Sequence, residues 1–257
     1  MNRNIWIRNI LLLFLSLISL GGCRQQSQPI TKDGRHYIRI DSTIGFSAKI
    51  EKTITPYREK IQKQMNRVIG YSDADLTKGR PESLLTNFVG DIILNQGIKI
   101  AKEKKLPVPV MSVVNTKGLR SPIKKGNITV ESIYRLMPFE NKLVIMNLNG
   151  KEMQQLFDHM ADFGGEAMAG ATFGIKDGKP VNIKIDGKPF RKNKTYTIVV
   201  PDYISHGGDR YYMLKNVKES FDTEVLIRDA IIRGIEELTG QKKHITSTLD
   251  KRVYHVD

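Results

Sequence analysis

The sequence predicts one α+β domain of roughly 200 residues behind an export signal and a polar linker. Three observations carry this prediction. Helical and strand-like hydrophobic patterns are interspersed along the chain, a short apolar run lies near the N-terminus, and a single cysteine follows that run. With 40% hydrophobic and 26% charged residues, wholesale disorder is excluded. One cysteine also excludes a disulfide framework and any metal site built from clustered cysteines.

The first 23 residues predict an exported lipoprotein. Arg3 and Arg8 precede an apolar run over residues 10–20, which is too short for an ordinary membrane span and is typical of a signal peptide. The following Leu20-Gly21-Gly22-Cys23 resembles the lipobox of bacterial lipoproteins, in which the cysteine becomes the lipidated first residue. We expect a signal peptide over residues 1–22, lipidation at Cys23, a tether over 23–43, and a membrane-anchored protein of the periplasm or cell envelope. An ordinary signal peptide with a chance cysteine is the alternative.

The net charge of +14 indicates anionic partners, but export changes which partners are available. An exported lipoprotein does not meet chromosomal DNA, and the basic residues are scattered in pairs such as Lys104-Lys105 and Lys242-Lys243. We therefore predict no nucleic-acid partner. The lysines and arginines are expected to form a solvated surface that is compatible with an anionic membrane.

The first half of the chain contains signals for both strands and helices. Pro81-Glu82-Ser83 opens a helix whose Leu85 and Phe88 recur on one face with Ile92. The apolar residues 108–114 are typical of a buried strand. The remaining predictions here are a strand at 36–40, a helical pattern at 57–69, turns at 71–80 and a short helix at 129–136.

The second half alternates strands, hairpin turns and amphipathic helices. Two Asp-Gly-Lys triplets, at 177–179 and 186–188, are hairpin-turn signals within residues 172–190. The other predicted elements are strands at 142–148 and 195–200, a helix at 150–161, and a helix at 224–238 capped by Asp222 or Thr223 and stopped at Gly240.

Two loops beside predicted strands contain candidate ligand-binding residues. Residues 115–120 follow a buried strand, and Arg120 there is suited to bind phosphate or carboxylate oxygens. A solvated surface turn fits the same residues. In residues 138–141, Phe139 is either a flat stacking platform or a core plug, and Asn141 either pairs with a base edge or caps a turn.

A third loop, residues 201–209, follows another predicted strand. Gly207 and Gly208 permit close approach of a ligand to the backbone, Tyr203 offers a ring, and Asp209 offers a carboxylate for ligand hydroxyl groups. A simple glycine turn is the alternative.

In their order and context, these segments resemble the C-terminal domain of bacterial 5'-nucleotidases, from about residue 44 to residue 250. The residues 82–91, 126–139 and 148–152 also match that family's pattern. The resemblance implies a mixed sheet with flanking helices and a nucleotide- or nucleoside-binding site. It assigns base stacking to Phe139 and Tyr203, base-edge recognition to Asn141, ribose binding to Asp209, phosphate contact to Arg120, and the wall of the site to Gly207 and Gly208.

The chain also departs from the family's usual pattern. Lys117 replaces a glycine, Tyr203 replaces a phenylalanine, and Arg210 follows Asp209 where glycine is common. Some members have extra arginines before the Glu-Ser helix, where this chain has Arg80.

In full-length members of the family, catalysis belongs to a separate metallophosphoesterase domain that holds two metal ions. None of the five histidines lies in the motifs of that domain, so we expect no cofactor in this chain and divalent metals only in a partner chain. The leading hypothesis is the substrate-recognition half of a split 5'-nucleotidase that works with a separate metallophosphoesterase chain. The alternatives are a non-catalytic nucleotide- or nucleoside-binding lipoprotein of the envelope and a structural lipoprotein whose site has decayed.

Overall fold

The computed structural model describes residue 41 and residues 43–256. The described residues fall into two units, with the division between Thr53 and Ile54. The predicted signal peptide, nearly all of the predicted tether and the predicted strand at 36–40 lie outside the described residues, so the predicted domain bounds stay predictions. No helix of the described region is both long and apolar enough to cross a membrane.

Helices and strands alternate through the second unit. The helices are α1 Ala48–Met65 (which begins in the first unit), α2 Leu84–Lys104, α3 Val130–Leu136, α4 Gly150–Asp162, α5 Asp202–Ser205 and α6 Ile227–Gly240. The strands are β1 Val68–Ser72, β2 Met111–Val114, β3 Gly126–Thr129, β4 Lys142–Leu148, β5 Ala167–Ala169, β6 Ala171–Lys176, β7 Lys179–Ile185, β8 Lys188–Pro189, β9 Tyr196–Pro201, β10 Ser220–Leu226 and β11 Val253–His255.

A five-stranded mixed sheet with the order β10-β4-β9-β2-β5 forms the centre of this unit. β2 runs parallel to β9, whereas β4 is antiparallel to both β9 and β10. The C-terminal ends of β2, β9 and β10 therefore lie at the same edge as the N-terminal end of β4. The register agrees, since Leu143 pairs with Pro201 and Leu226 pairs with Lys142. The loops that leave this edge are thereby brought together.

Helices cover both faces of the sheet, which confirms the predicted α+β class and mixed sheet. Helix α2 begins at a capping box between Ser83 and Thr86 and buries the predicted face that contains Leu85 and Phe88. It lies so close to β5 that a Cβ on Gly90 would be 2.4 Å from the carbonyl oxygen of Met168. Helix α4 covers the opposite face with Met153, Leu156, Phe157 and Met160, all fully buried.

Two smaller sheets complete the architecture. β1 pairs with β3, and β11-β6-β7-β8 forms a four-stranded sheet. The turns of this second sheet fall at Asp177-Gly178 and Asp186-Gly187, with φ between +50° and +70° at all four residues. These positive φ angles are those of type I′ turns, so the predicted hairpins are confirmed.

Two predicted helices differ from the structure. The pattern at 57–69 belongs to α1, which ends at Met65, and Val68 and Ile69 lie in β1. The last helix begins at Ile227, and the predicted caps Asp222 and Thr223 lie in β10. Thr223 instead donates its hydroxyl hydrogen to the Leu143 carbonyl at 2.7 Å, so pairing with β4 prevails over local capping propensity.

Candidate functional site

A cavity of about 490 Å³ opens at the sheet edge where the loops after β2 and β9 meet the start of α6 and the segment before β4. Its lining residues are Asn115, Lys117, Gly118, Arg120, Met137, Phe139, Glu140, Asn141, Pro201, Tyr203, Asp209 and Ile227. The volume is in the range of small-molecule pockets. Phe139, Tyr203, Asn141, Asp209 and Arg120, which the sequence proposed for ligand binding, thus border one cavity.

Phe139 and Tyr203 expose their aromatic rings to this cavity. Phe139 is 40% exposed and Tyr203 is 46% exposed, whereas most large apolar side chains of this unit are buried. Phe139 is therefore not a core plug. Exposed rings that border a concave surface are suited to stack on a flat ligand.

Gly208 sets the position of the Tyr203 ring. A Cβ on Gly208 would lie 2.5 Å from Cζ of Tyr203, so only glycine allows the ring to rest directly on the backbone there. Gly207 has a φ of +91°, a left-handed conformation that favours glycine. Neither glycine borders the cavity itself. Gly208 affects the wall of the cavity through the position of Tyr203, whereas the predicted wall role of Gly207 stays a prediction.

Asp209 joins the loop after β9 to the loop after β2. Its carboxylate accepts a hydrogen bond of 2.7 Å from Nδ2 of Asn115, and the Tyr203 hydroxyl lies 3.4 Å from its other oxygen. Asp209 also has a φ of +48°, a strained value for a residue other than glycine. Asn115 is not among the residues predicted to bind a ligand, although its place directly after a buried strand was an available signal.

Asn141 is held by a partner that was not predicted from the sequence. Its Nδ2 donates a hydrogen bond of 2.7 Å to Oδ1 of Asp202, the first residue of α5. Nothing local in the sequence marks this pair, because the two residues are 61 positions apart.

Two cations border the cavity. Arg120 is exposed, with Cζ 5.9 Å from the centre of the Phe139 ring, and its backbone N–H donates to the Leu136 carbonyl. Lys117, in the place of a usual family glycine, is exposed and lies with Nζ 5.2 Å from the centre of the Phe163 ring. These side chains give the cavity positive groups suited to an anionic ligand.

A buried carboxylate supports the loop after β2. Glu166, just before β5, accepts a hydrogen bond from the backbone N–H of Thr116 and lies 3.3 Å from Nη2 of Arg80. Burial raises the pKa of Glu166, while the hydrogen bonds from Thr116 and the charge of Arg80 oppose this rise. Arg80 also donates to the Phe163 carbonyl.

His159 and Tyr211 anchor the loop that contains Asp209 from beneath. The two rings lie with their centroids 4.2 Å apart, and Tyr211 is fully buried. Burial lowers the pKa of His159, although nearby Asp162 and a hydrogen bond to the Asp209 backbone act in the opposite direction. Nε2 of His159 is buried and has no hydrogen-bond partner among the described residues, so a proton there is not stabilised.

The described residues contain no group of three or more His, Cys, Asp or Glu side chains placed to hold a metal ion. What the geometry offers is two aromatic rings, two amides, two carboxylates and two cations around one cavity. Those are the features of a small-molecule recognition site on an α+β domain.

The chain belongs to the family of 5'-nucleotidase C-terminal domains. The family model "5'-nucleotidase, C-terminal domain" matches residues 64–216, more than half of the chain. The family resemblance seen in the sequence motifs is thereby confirmed.

Individual relatives agree with this assignment. A 5'-nucleotidase of Vibrio vulnificus is 31% identical over 67% of this chain and 31% of its own length. The rat 5'-nucleotidase is 25% identical over 84% of this chain and 42% of its own length. The chain thus spans about a third of the length of the first of these curated relatives and under half of the second.

Solved structures show the same fold. The 5'-nucleotidase precursor from Thermus thermophilus superimposes with a TM-score of 0.67 at 24% identity, over 80% of this chain and 43% of that structure. The NAD nucleotidase of Haemophilus influenzae gives a TM-score of 0.61 at 19% identity, over 87% of this chain and 44% of that structure.

The burial of His159 predicts a pH-dependent stability. Above its ordinary pKa of about 6.5 the imidazole is neutral in both the folded and unfolded states, and its contribution to stability is complete. As the pH falls below about 6.5, His159 becomes protonated in the unfolded chain but stays neutral in the folded protein. The free energy of unfolding therefore decreases until the pH passes the lowered pKa of His159 in the folded protein. The free energy of unfolding should fall between about pH 7.5 and about pH 5.5, and this fall should be smaller in His159→Gln than in the original protein. Urea denaturation at the two pH values measures the difference.

Phe163→Leu is the matched control. It removes a ring that lies 4.5 Å from the His159 ring but keeps the imidazole, so it should lower stability at both pH values and retain most of the pH dependence. An unchanged pH dependence in His159→Gln would contradict the prediction.

Proposed function

We propose that this chain is the nucleotide- and nucleoside-recognition domain of a split 5'-nucleotidase, which positions the substrate for hydrolysis by a separate metallophosphoesterase chain. The observation that carries the proposal is the convergence of Phe139, Tyr203, Asn141, Asp209 and Arg120 on one cavity in a domain of this family. The names of the relatives, 5'-nucleotidases and an NAD nucleotidase, are consistent with a nucleotide ligand.

In this proposal the base stacks on the exposed rings of Phe139 and Tyr203, and Asn141 contacts its edge. The Asp209 carboxylate accepts hydrogen bonds from ribose hydroxyl groups, and its fixed position beside Asn115 reduces the ordering cost on binding. Arg120 binds the phosphate, and Lys117 adds a second positive charge in place of the usual glycine.

Hydrolysis itself is assigned to the partner chain. Attack of water on a phosphate monoester breaks the P–O bond to the ribose, and two divalent metal ions in the metallophosphoesterase would activate the water and stabilise the leaving oxygen. This chain contributes binding and orientation, which keep the phosphate at a fixed distance from those metals. No cofactor is assigned to the chain itself.

Binding tests the recognition half of the proposal. Tyr203→Ala and Phe139→Ala should each weaken adenosine and AMP binding by about 1–3 kcal/mol, because each removes one stacking ring. Calorimetry on the full chain in detergent measures this loss. Tyr57→Ala, on the exposed side of α1, is the control and should leave both affinities unchanged. Equal affinities in all four proteins would contradict the assignment of the rings and would favour a decayed site.

Complementation tests the catalytic half. The probe is a metallophosphoesterase polypeptide that lacks a C-terminal domain of its own. The two chains together should release phosphate from AMP, neither should do so alone, and Tyr203→Ala should lower the rate of the mixture. A mixture that stays inactive with Mn²⁺, Zn²⁺, Co²⁺ and Mg²⁺ while nucleosides still bind would favour the non-catalytic binding lipoprotein.

We further infer that the chain acts at the membrane of the bacterial envelope, anchored through lipidated Cys23. The support is the apolar run at 10–20 and the lipobox-like Leu20-Gly21-Gly22-Cys23. Cys23→Ser should abolish incorporation of labelled palmitate and release the protein from the membrane fraction, whereas Ser27→Ala, a few residues further on, should not. Palmitate labelling that persists in Cys23→Ser would contradict the assignment.

A further inference from the structure

The hydrogen bond between Asn141 and Asp202 determines which atom of the Asn141 amide is available to a ligand. A carboxylate accepts hydrogen bonds but does not donate them, so the amide nitrogen must face Asp202. The carbonyl oxygen Oδ1 then lies on the other side of the amide group. The orientation of Asn141 is therefore assigned by the chemistry of its partner.

Oδ1 of Asn141 is free to accept a hydrogen bond from a ligand. Asn141 borders the cavity and is half-buried, and no donor in the described part of the chain bonds to its Oδ1. Glu140 also borders the cavity and is exposed, which adds a carboxylate next to Asn141. The wall beside Phe139 thus presents hydrogen-bond acceptors.

We propose that Asp202 is a positioning residue that holds the Asn141 amide with Oδ1 toward the ligand, and that the site thereby selects bases with an exocyclic amino group. This inference rests on the proposed nucleoside-binding function and names the class of base. An amino group of adenine or cytosine donates to Oδ1 of Asn141. The keto oxygen of hypoxanthine or uracil would place an acceptor against acceptors, which leaves polar groups unpaired on desolvation.

Asp202 itself acts through Asn141 and does not border the cavity. With Asn at position 202, the side chain can donate as well as accept, so Asn141 is no longer confined to one orientation. The flipped amide would then present its N–H groups to a keto oxygen. Selectivity between amino and keto bases, and not overall affinity, is the property that Asp202 controls.

The test compares two pairs of nucleosides that differ in this group, adenosine with inosine and cytidine with uridine. Calorimetry on the full chain in detergent should show about tenfold or more tighter binding of the amino member of each pair, equivalent to about 1.4 kcal/mol. Asp202→Asn should reduce both ratios toward one. Asp177→Asn, in the turn between β6 and β7, is the matched control and should keep them.

Asn141→Ala provides a second variant in case Asp202→Asn lowers the folded fraction, which thermal melting would show. It should also remove the selectivity while the stacking rings remain. Amino and keto nucleosides that bind equally to the original protein would overturn the inference and leave the proposed function intact, as would selectivity that survives in both variants. Failure of every nucleoside to bind would overturn the proposed function as well.

Discussion

The pairing of four strands in the central sheet is the constraint on which the candidate site depends. β2, β9 and β10 end at the same edge at which β4 begins, because β4 is antiparallel to its two neighbours. Tyr203 follows β9, Asn115 follows β2, and Phe139 precedes β4. A slip of one residue in any of these pairings would turn these side chains to another face. The cavity is thus a consequence of sheet register, and the loops are short enough to transmit that register to the side chains.

The loop after β9 holds strained backbone, and the surrounding packing maintains it. Asp209 and Arg210 both have positive φ although neither is glycine, and Gly208 is in direct contact with the Tyr203 ring. Asn115 fixes the Asp209 carboxylate from one side, while the buried Tyr211 holds the next turn from the other. Strain of this kind persists only where several contacts specify the same conformation. The site is therefore organised before a ligand arrives, which lowers the entropic cost of binding.

Hydrogen bonds to neighbouring side chains fix the orientation of several polar groups at the cavity. Asp209 is engaged with Asn115, Asn141 is engaged with Asp202, and Glu166 stands beneath the loop after β2 with Arg80 and Thr116. In contrast, Arg120 and Lys117 extend into solvent at the cavity. Fixed acceptors together with exposed cations suit a ligand that has one rigid, specific part and one charged part. A nucleotide has this form.

Local patterns in the sequence determined much of the fold. The hydrophobic periodicity of α2 and α4 predicted their buried faces, and the Asp-Gly pairs predicted both hairpin turns, because these features depend on neighbouring residues alone. The motif order also predicted the family, which the family comparison confirmed. The side chains to which the family resemblance assigns ligand contacts do border one cavity, and their roles in ligand binding stay predictions.

Only the tertiary structure decided the features that depend on distant residues. Asp222 and Thr223 have the chemistry of helix caps, yet they lie in β10, because Asp222 pairs with Val144 of β4 and the Thr223 hydroxyl donates to the Leu143 carbonyl. Asn115 meets Asp209 across 94 positions and Asn141 meets Asp202 across 61. The orientation of an amide follows from whichever partner the fold brings to it. The sequence by itself therefore determined which groups are present at the site, and the strand register decided which atoms of those groups face the cavity.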